Sequence, residues 1–360
     1  MNFRKFRAVA AILLCAAGAR GADYLVYAGS GGPSGGIYGY RFDARGGKMK
    51  SLGLMAKSSN PSFLVEHPDH RFLYALSDDA GPGVSAFLID PKSGKLSLVN
   101  QVASRGGKPC HLALDRSGRW LAVANYGVGG VALLPLRKDG GLGEARISTA
   151  KSQARSVVFS PDNHFLLVAD QGMDRILVYK FDAETGALAP ADPPFTPVTP
   201  GAGVRRLVFH PNGRVLYALN EKRPGVTGYR YDSASGGLSL IQTVSAVPAS
   251  YTGPDTAAEF AVNAAGTMVY ASNRDLDCMA LLVVDPLRFT LSALEFTPLI
   301  GRTPGDFALD PTGAYLLVAN RDSHSLTVYT VHPRSGQLRP VGRSSANIDQ
   351  PRCLVFVPSR

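Results

Sequence analysis

The chain has 360 residues, 45% of them hydrophobic and 18% charged, with a formal net charge of +10. That balance supports a large apolar core and excludes an intrinsically disordered chain. The 39 Gly and 25 Pro form no low-complexity tract, and no Lys/Arg block marks a nucleic-acid surface, so no nucleic-acid partner is expected.

Residues 1–21 read as an export signal. Arg4, Lys5 and Arg7 precede an apolar run over residues 8–17, and Ala19-Arg20-Gly21 offers small residues for cleavage after Gly21. The run is too short to span a bilayer, so no integral membrane segment is expected once it is removed. Bulky Leu14 before Cys15 argues against a lipoprotein. Removal takes away four basic residues and no acid, and the net charge falls to +6. A mildly basic surface suits anionic small molecules. The expected product is a secreted or periplasmic monomer, one domain over residues 22–360. Cys110, Cys278 and Cys353 are an odd set without regular spacing, which is not a disulfide framework. No Cys/His pair has zinc spacing, so no metal or other cofactor is expected.

After the signal come three short apolar runs, residues 24–28, 37–42 and 49–52. From residue 63 a fuller unit begins, with runs at 63–66, 72–75, 85–89 and 96–100. Each run is rich in Val, Leu, Tyr and Phe and bounded by turn residues, which predicts strands and four-stranded antiparallel units. The unit then recurs. Its first turns start at His67, Asp115, Ser160, His210, Asn263 and Asp310, with separations of 48, 45, 50, 53 and 47 residues. A period of this length with four strands per unit is the signature of a β-propeller. Residues 191–202, rich in Pro and Gly, read as the loosest connection. A last run at 353–357 matches the innermost strand of a unit, and the three N-terminal runs match the other three. The fold predicted is therefore all-β, a seven-bladed propeller whose first blade is closed by both chain ends.

In such a ring the start of the innermost strand and the end of the second strand lie at one mouth of the central channel. Phe63 and Ser77, His111 and Asn125, Arg206 and Asn220, Glu259 and Asn273, and Asp306 and Asn320 are each fourteen apart, as one hairpin register would give. The mouth would then collect Ser62-Phe63, Cys110-His111, Arg155-Ser156, Arg205-Arg206, Ala258-Glu259, Gly305-Asp306 and Arg352-Cys353. Just past the second strands come Tyr126, Gln171, Glu221, Arg274 and Arg321. Arginines beside carboxylates and one histidine can bind an anion and activate a water next to it. The Asn/Asp ring (Asn125, Asp170, Asn220, Asn273, Asn320) reads mainly as backbone-holding turn chemistry. The His-Pro and Asp-Pro turns fall at the opposite end, and Trp120 reads as core.

Several phrases resemble the bacterial lactonase propeller family, which includes 6-phosphogluconolactonase-type enzymes and the fungal carboxy-muconate cyclase. They are Asn60-Pro61-Ser62-Phe63, Lys108-Pro109-Cys110-His111, Ala124-Asn125-Tyr126-Gly127, Pro200-Gly201-Ala202-Gly203, Thr256-Ala257-Ala258-Glu259, Ser272-Asn273-Arg274 and Val318-Ala319-Asn320-Arg321-Asp322. The resemblance spans about residues 24 to 358. It implies a metal-free site at this mouth, with acid/base roles on His and Glu and anion binding on Arg. Carried over, these are His111, Arg205, Glu259 and Arg274. The chain departs from the family pattern in four places. A Pro-His-Ala-His-Ser run is Ser152-Gln153-Ala154-Arg155-Ser156, Arg-His is Arg205-Arg206, Thr-Pro-Arg-Asn is Thr303-Pro304-Gly305-Asp306, and Ala261 stands where a histidine is common. Without those histidines, proton transfer must fall to Glu259, Asp306 or a water.

The leading expectation is a hydrolase that opens a sugar-type lactone. Glu259 would be the base, Arg205 and Arg274 would hold the oxyanion, and His111 would assist the leaving group. Arg155, Arg206, Asn125, Tyr126, Glu221, Asp306, Arg321 and Arg352 would contact substrate. Two other readings stay open: a non-catalytic envelope propeller binding an anionic ligand or protein, and a carboxy-muconate-type cycloisomerase.

Overall fold

The computed structural model describes residues 23–77, 83–127, 130–148, 152–254 and 256–359. The expected export signal, with its cleavage point at Gly21, lies outside the described residues. Among the described residues, 28 strands form seven four-stranded antiparallel sheets.

The second strand of each blade explains why the sequence shows unbroken apolar runs. Phe72–Ser77, Trp120–Asn125, Phe165–Asp170, Val215–Asn220, Met268–Asn273 and Tyr315–Asn320 are buried along their whole length. Each is covered on both faces by neighbouring blades, so alternation disappears. Outer strands such as Leu96–Val102 meet water and carry polar residues. Seven apolar clusters, one per pair of adjacent blades, make up the core. Tyr27, Tyr74, Tyr217 and Tyr270 are fully buried, and their hydroxyls donate to carbonyls of Gly94, Gly140, Phe289 and Gly336 in the next blade. Each ring thus adds a specific tie to the apolar area that it removes from water.

The ring closes as the repeat count predicts. Pro351–Pro358 pairs with Asp23–Ser30, placing Tyr24 opposite Pro358 and Gly29 opposite Cys353. The sheet order runs from this C-terminal strand through the three N-terminal ones. Across the seam, Tyr24, Val26 and Phe42 pack against Tyr315 and Leu317.

Two expectations are corrected. Residues 191–197 are not loose: Ala187–Pro197 is the outermost strand of its blade. An outermost strand has one unpaired edge, where prolines cost no ladder bond. The fourteen-residue register also fails at the mouth. Asn220 pairs with Val204 and not with Arg206, because a bulge intervenes between Val204 and Arg206. All seven innermost strands carry such a bulge at the same end. At the opposite end, the His67 ring nitrogen bonds the Gly118 carbonyl (3.0 Å) and His210 that of Gly266 (2.8 Å). These histidines tie the turns of consecutive blades.

Deleting residues 351–360 leaves the first blade without its innermost strand. Circular-dichroism melting should then show no cooperative transition; a soluble variant melting like the full chain would contradict the closure.

Candidate active site at the channel mouth

Two local devices bring side chains to the mouth. The first is the bulge. In a regular strand successive side chains point to opposite faces. The extra residue breaks that alternation, so both members of Ser62-Phe63, Arg205-Arg206 and Gly305-Asp306 line one cavity. The second is a repeated backbone tie. The N–H groups of Tyr126, Gln171, Glu221, Arg274 and Arg321 donate to carbonyls of Lys108, Gln153, Gly203, Thr256 and Thr303, at 2.9–3.2 Å. Each tie fixes the residue after the second strand against the loop that enters the innermost one. Thr303 is β-branched yet has φ of 57°, a costly conformation for such a residue. Asp277 holds its N–H at 2.6 Å and Asp322 accepts from its hydroxyl.

The cavity at this mouth measures about 310 Å³. Arg155, Arg205, Arg206, Arg274, Arg321, Arg352 and Lys108 all line it, and among the described residues Asp306 is its one lining carboxyl. Two carboxylates behind the wall organise the cations. Glu221 accepts from Arg205 Nη1 (2.9 Å), from Gln171 Nε2 (2.7 Å) and from Arg274 Nη2. Glu259 accepts from Arg206 Nε at 2.5 Å. Arg206 also donates to the Arg155 carbonyl (3.2 Å), and its guanidinium lies 5.3 Å from the Phe63 ring centroid. It starts in the fifth blade and touches the fourth, sixth and second, so its side chain spans the channel axis and floors the cavity. Arg155 stacks on Tyr126 at 5.3 Å, and its buried Nε has no hydrogen-bond partner among the described residues.

The electrostatics follow from this crowding. Burial alone would raise the Glu221 pKa, but Arg205, the Gln171 amide, Arg155 and Arg274 outweigh it and hold the carboxyl at about 2. Burial lowers Arg205 to about 9, Arg155 pushes the same way, and Glu221 opposes both. Burial, then Glu259, raises Asp306 to about 8, so it is a proton-bearing acid at neutral pH. Burial, with Arg206, Arg155 and Arg205, holds His111 well below its ordinary value. Among the described residues, no group of three or more His, Cys, Asp or Glu side chains is placed to hold a metal ion.

The sequence-predicted residues therefore divide. Arg155, Arg205, Arg206, Arg274, Arg321, Arg352, Tyr126 and Asp306 meet at the cavity. Glu221 and Glu259 stand behind it, paired with Arg205, Arg274 and Arg206. His111 stacks on Phe63 with centroids 4.4 Å apart, and its Nδ1 accepts the Val157 N–H at 3.4 Å. That leaves a neutral, occupied ring in place of the expected proton donor. Asn125 is fully buried against Gly106 and does not reach the cavity. In the other ring positions, Asp170 accepts the Gln153 N–H, while Asn220 and Asn320 donate to Thr227 and Thr327. Lys108, Ser62 and Thr303 line the cavity and were not among the expected contacts, although Ser62 belongs to the ring that the sequence places at the mouth.

Comparison with known proteins agrees over nearly the whole ring. A family model described as "Lactonase, 7-bladed beta-propeller" matches residues 25–356. A 6-phosphogluconolactonase of Bacillus subtilis is 28% identical over 353 residues, 93% of this chain and 98% of that one. One from Klebsiella pneumoniae is 31% identical over 82% of this chain and 88% of its own. Among solved structures, the periplasmic gluconolactonase of Pseudomonas aeruginosa superposes with a TM-score of 0.88 at 32% identity, covering 94% of this chain and all of the other.

The Glu221 cluster gives a pH signature. Its folded pKa lies below its unfolded value, so its contribution is complete above about pH 4.5 and is lost as pH falls through about 2. That contribution is on the order of 3 kcal/mol. Glu221→Gln leaves two arginines facing an uncharged amide and should cost about 3–5 kcal/mol in urea unfolding at pH 7. The gap between wild type and variant should narrow below pH 4.5; a constant gap down to pH 2 would contradict the clamp.

Proposed function

Because this chain belongs to the seven-bladed β-propeller lactonase family, we propose that it hydrolyses a sugar-type lactone at the cationic mouth. The observation that carries the reading is one cavity with seven basic lining groups and, among the described residues, one lining carboxyl, whose pKa burial and Glu259 raise to about 8.

The chemistry can be laid on these groups. Arg205 and Arg274, held in place by Glu221, face the lactone carbonyl and stabilise the oxyanion that forms when water adds. Asp306, once ionised, takes a proton from the attacking water. As the acyl–oxygen bond breaks, it returns the proton to the ring oxygen, so the enzyme ends unchanged and one water is consumed. Arg155 and Arg352 bind an anionic substituent of the substrate. Glu259 raises the Asp306 pKa by its nearby charge and anchors Arg206. It acts as a positioning residue. Burial and three guanidiniums keep His111 neutral, so it supports Phe63 from behind and does not act as the acid.

Export is part of the reading. The basic and apolar residues 1–21 support it, as does the periplasmic gluconolactonase of similar structure. Among the described residues no helix is long and apolar enough to cross a membrane. An exported enzyme would meet lactones of unphosphorylated sugars and sugar acids.

Turnover of glucono-δ-lactone, corrected for spontaneous hydrolysis, should rise with pH through about 8 as Asp306 ionises. Asp306→Asn should lower kcat by about 10²-fold or more. Glu259→Gln removes the neighbouring negative charge and should move the rise to lower pH. An Asp306→Asn variant of unchanged activity would overturn the assignment.

A further inference from the structure

Arg352 lines two cavities. One is the mouth just described; the other is a pocket of about 380 Å³ against the loop that leaves the first strand, Asp23–Ser30. The loop sequence Gly31-Gly32-Pro33-Ser34-Gly35-Gly36 explains how the space is kept. A side chain at Gly31 would meet the Arg352 guanidinium and the Asn60 amide at 3.0 Å, and one at Gly32 would strike the Asp349 carboxylate. Small residues thus hold the loop down and let Arg352 pass. The second pocket continues outward into a third of about 570 Å³, sharing Pro33, Gly35, Ser58 and Ser59 with it. Tyr38, Lys57 and Gln101 line this outer part. The three cavities adjoin in a row, the mouth and the second pocket on either side of Arg352 and the outer two sharing their lining, from the channel mouth to the crevice between the first and second blades.

The chemistry changes along the track. At the mouth it is cationic. Beyond Arg352 the inner lining is hydroxyl, amide and backbone, with no carboxylate; the outer end adds Leu54, Lys57 and a half-buried tyrosine whose hydroxyl donates to the Ser34 carbonyl. Such a wall mixes hydroxyls and amides with one apolar, one aromatic and one cationic side chain at its outer end. It suits a polyhydroxylated group that exchanges hydrogen bonds with hydroxyls and amides and lays a ring face against an aromatic one.

We propose that this track is a glycosyl subsite, so that the substrates include aldonolactones with a sugar attached, the lactone at the mouth and the second sugar beyond Arg352. The inference rests on the lactonase reading for its orientation. Ser58 sits at the junction of the two outer pockets and is no part of the catalytic cavity.

The test compares glucono-δ-lactone with lactobiono-δ-lactone, which differs by one galactosyl unit, on wild type and Ser58→Trp. Wild type should have the higher kcat/KM on the disaccharide lactone. The variant should lose about 10-fold or more on it while staying within about twofold on the monosaccharide lactone. A disaccharide lactone turned over less efficiently than the simple one, or an equal loss on both, would overturn the subsite. Calorimetric binding of the products, lactobionate against gluconate, separates this from the lactonase reading. If neither lactone is hydrolysed but lactobionate binds more tightly than gluconate in a Ser58→Trp-sensitive way, the subsite stands and the hydrolase reading falls. Equal binding of the two acids removes the subsite.

Discussion

The extra residue at the head of each innermost strand is the constraint on which the mouth depends. An unbroken strand would aim Arg205 and Arg206 at opposite faces, one into the channel and one into the blade. With the bulge between Val204 and Arg206, both guanidiniums reach the same cavity. The bulge recurs in every blade and so belongs to the scaffold. What differs between blades is the residue placed on it: Ser62, Cys110, Arg155, Arg205, Ala258, Gly305, Arg352. A nearly symmetric backbone thereby presents an asymmetric set of functional groups, with the cations on some blades and the small residues on others.

Gathering so many cations has a cost, visible in the depressed pKa of Arg205. Counter-charges held behind the wall keep the arrangement stable. Glu221 serves Arg205 and Arg274 together, and Glu259 serves Arg206. Neither carboxylate lines the cavity, so the guanidiniums stay positive toward whatever enters. Removing one partner of such a buried pair exposes the desolvation cost that the pair hides. The same pairing fixes geometry. Arg206, held by Glu259, the Arg155 carbonyl and the Phe63 ring, closes the axis and turns a channel into a pocket with a floor.

Much of this was legible in the sequence, because the repeat is strong and each blade buries its second strand on both faces. The period followed from turn spacing, the shared first blade from the apolar runs at the two chain ends, and the convergence of Arg155, Arg205, Arg206, Arg274 and Arg352 from the hairpin of the two inner strands. Two things were not legible. The bulges leave no mark on the fourteen-residue spacing, since they shift pairing without changing the count between turns. The division of labour among the acids was hidden for the same reason. Glu259 and Asp306 occupy equivalent positions in adjacent blades, and only the three-dimensional neighbours show that Arg206 claims the first while the second lines the cavity. Residues 191–197 misled because prolines that break central strands are tolerated on an outermost one.

Arginine at positions 155 and 206 has an electrostatic consequence for the groups beside it. A histidine placed among these guanidiniums would share the fate of His111, whose imidazole is held neutral by burial and by Arg206, Arg155 and Arg205. It could accept a proton only at low pH and would make a poor acid near neutrality. A carboxyl in the same setting behaves differently. Burial and the neighbouring Glu259 charge oppose its ionised form, the Leu354 N–H and Arg206 favour it, and the balance leaves Asp306 near 8. The cationic mouth and the titration of its one lining carboxyl among the described residues are therefore not independent. Once the mouth is filled with arginine, a buried carboxyl beside a second carboxylate is the group whose pKa falls in the useful range.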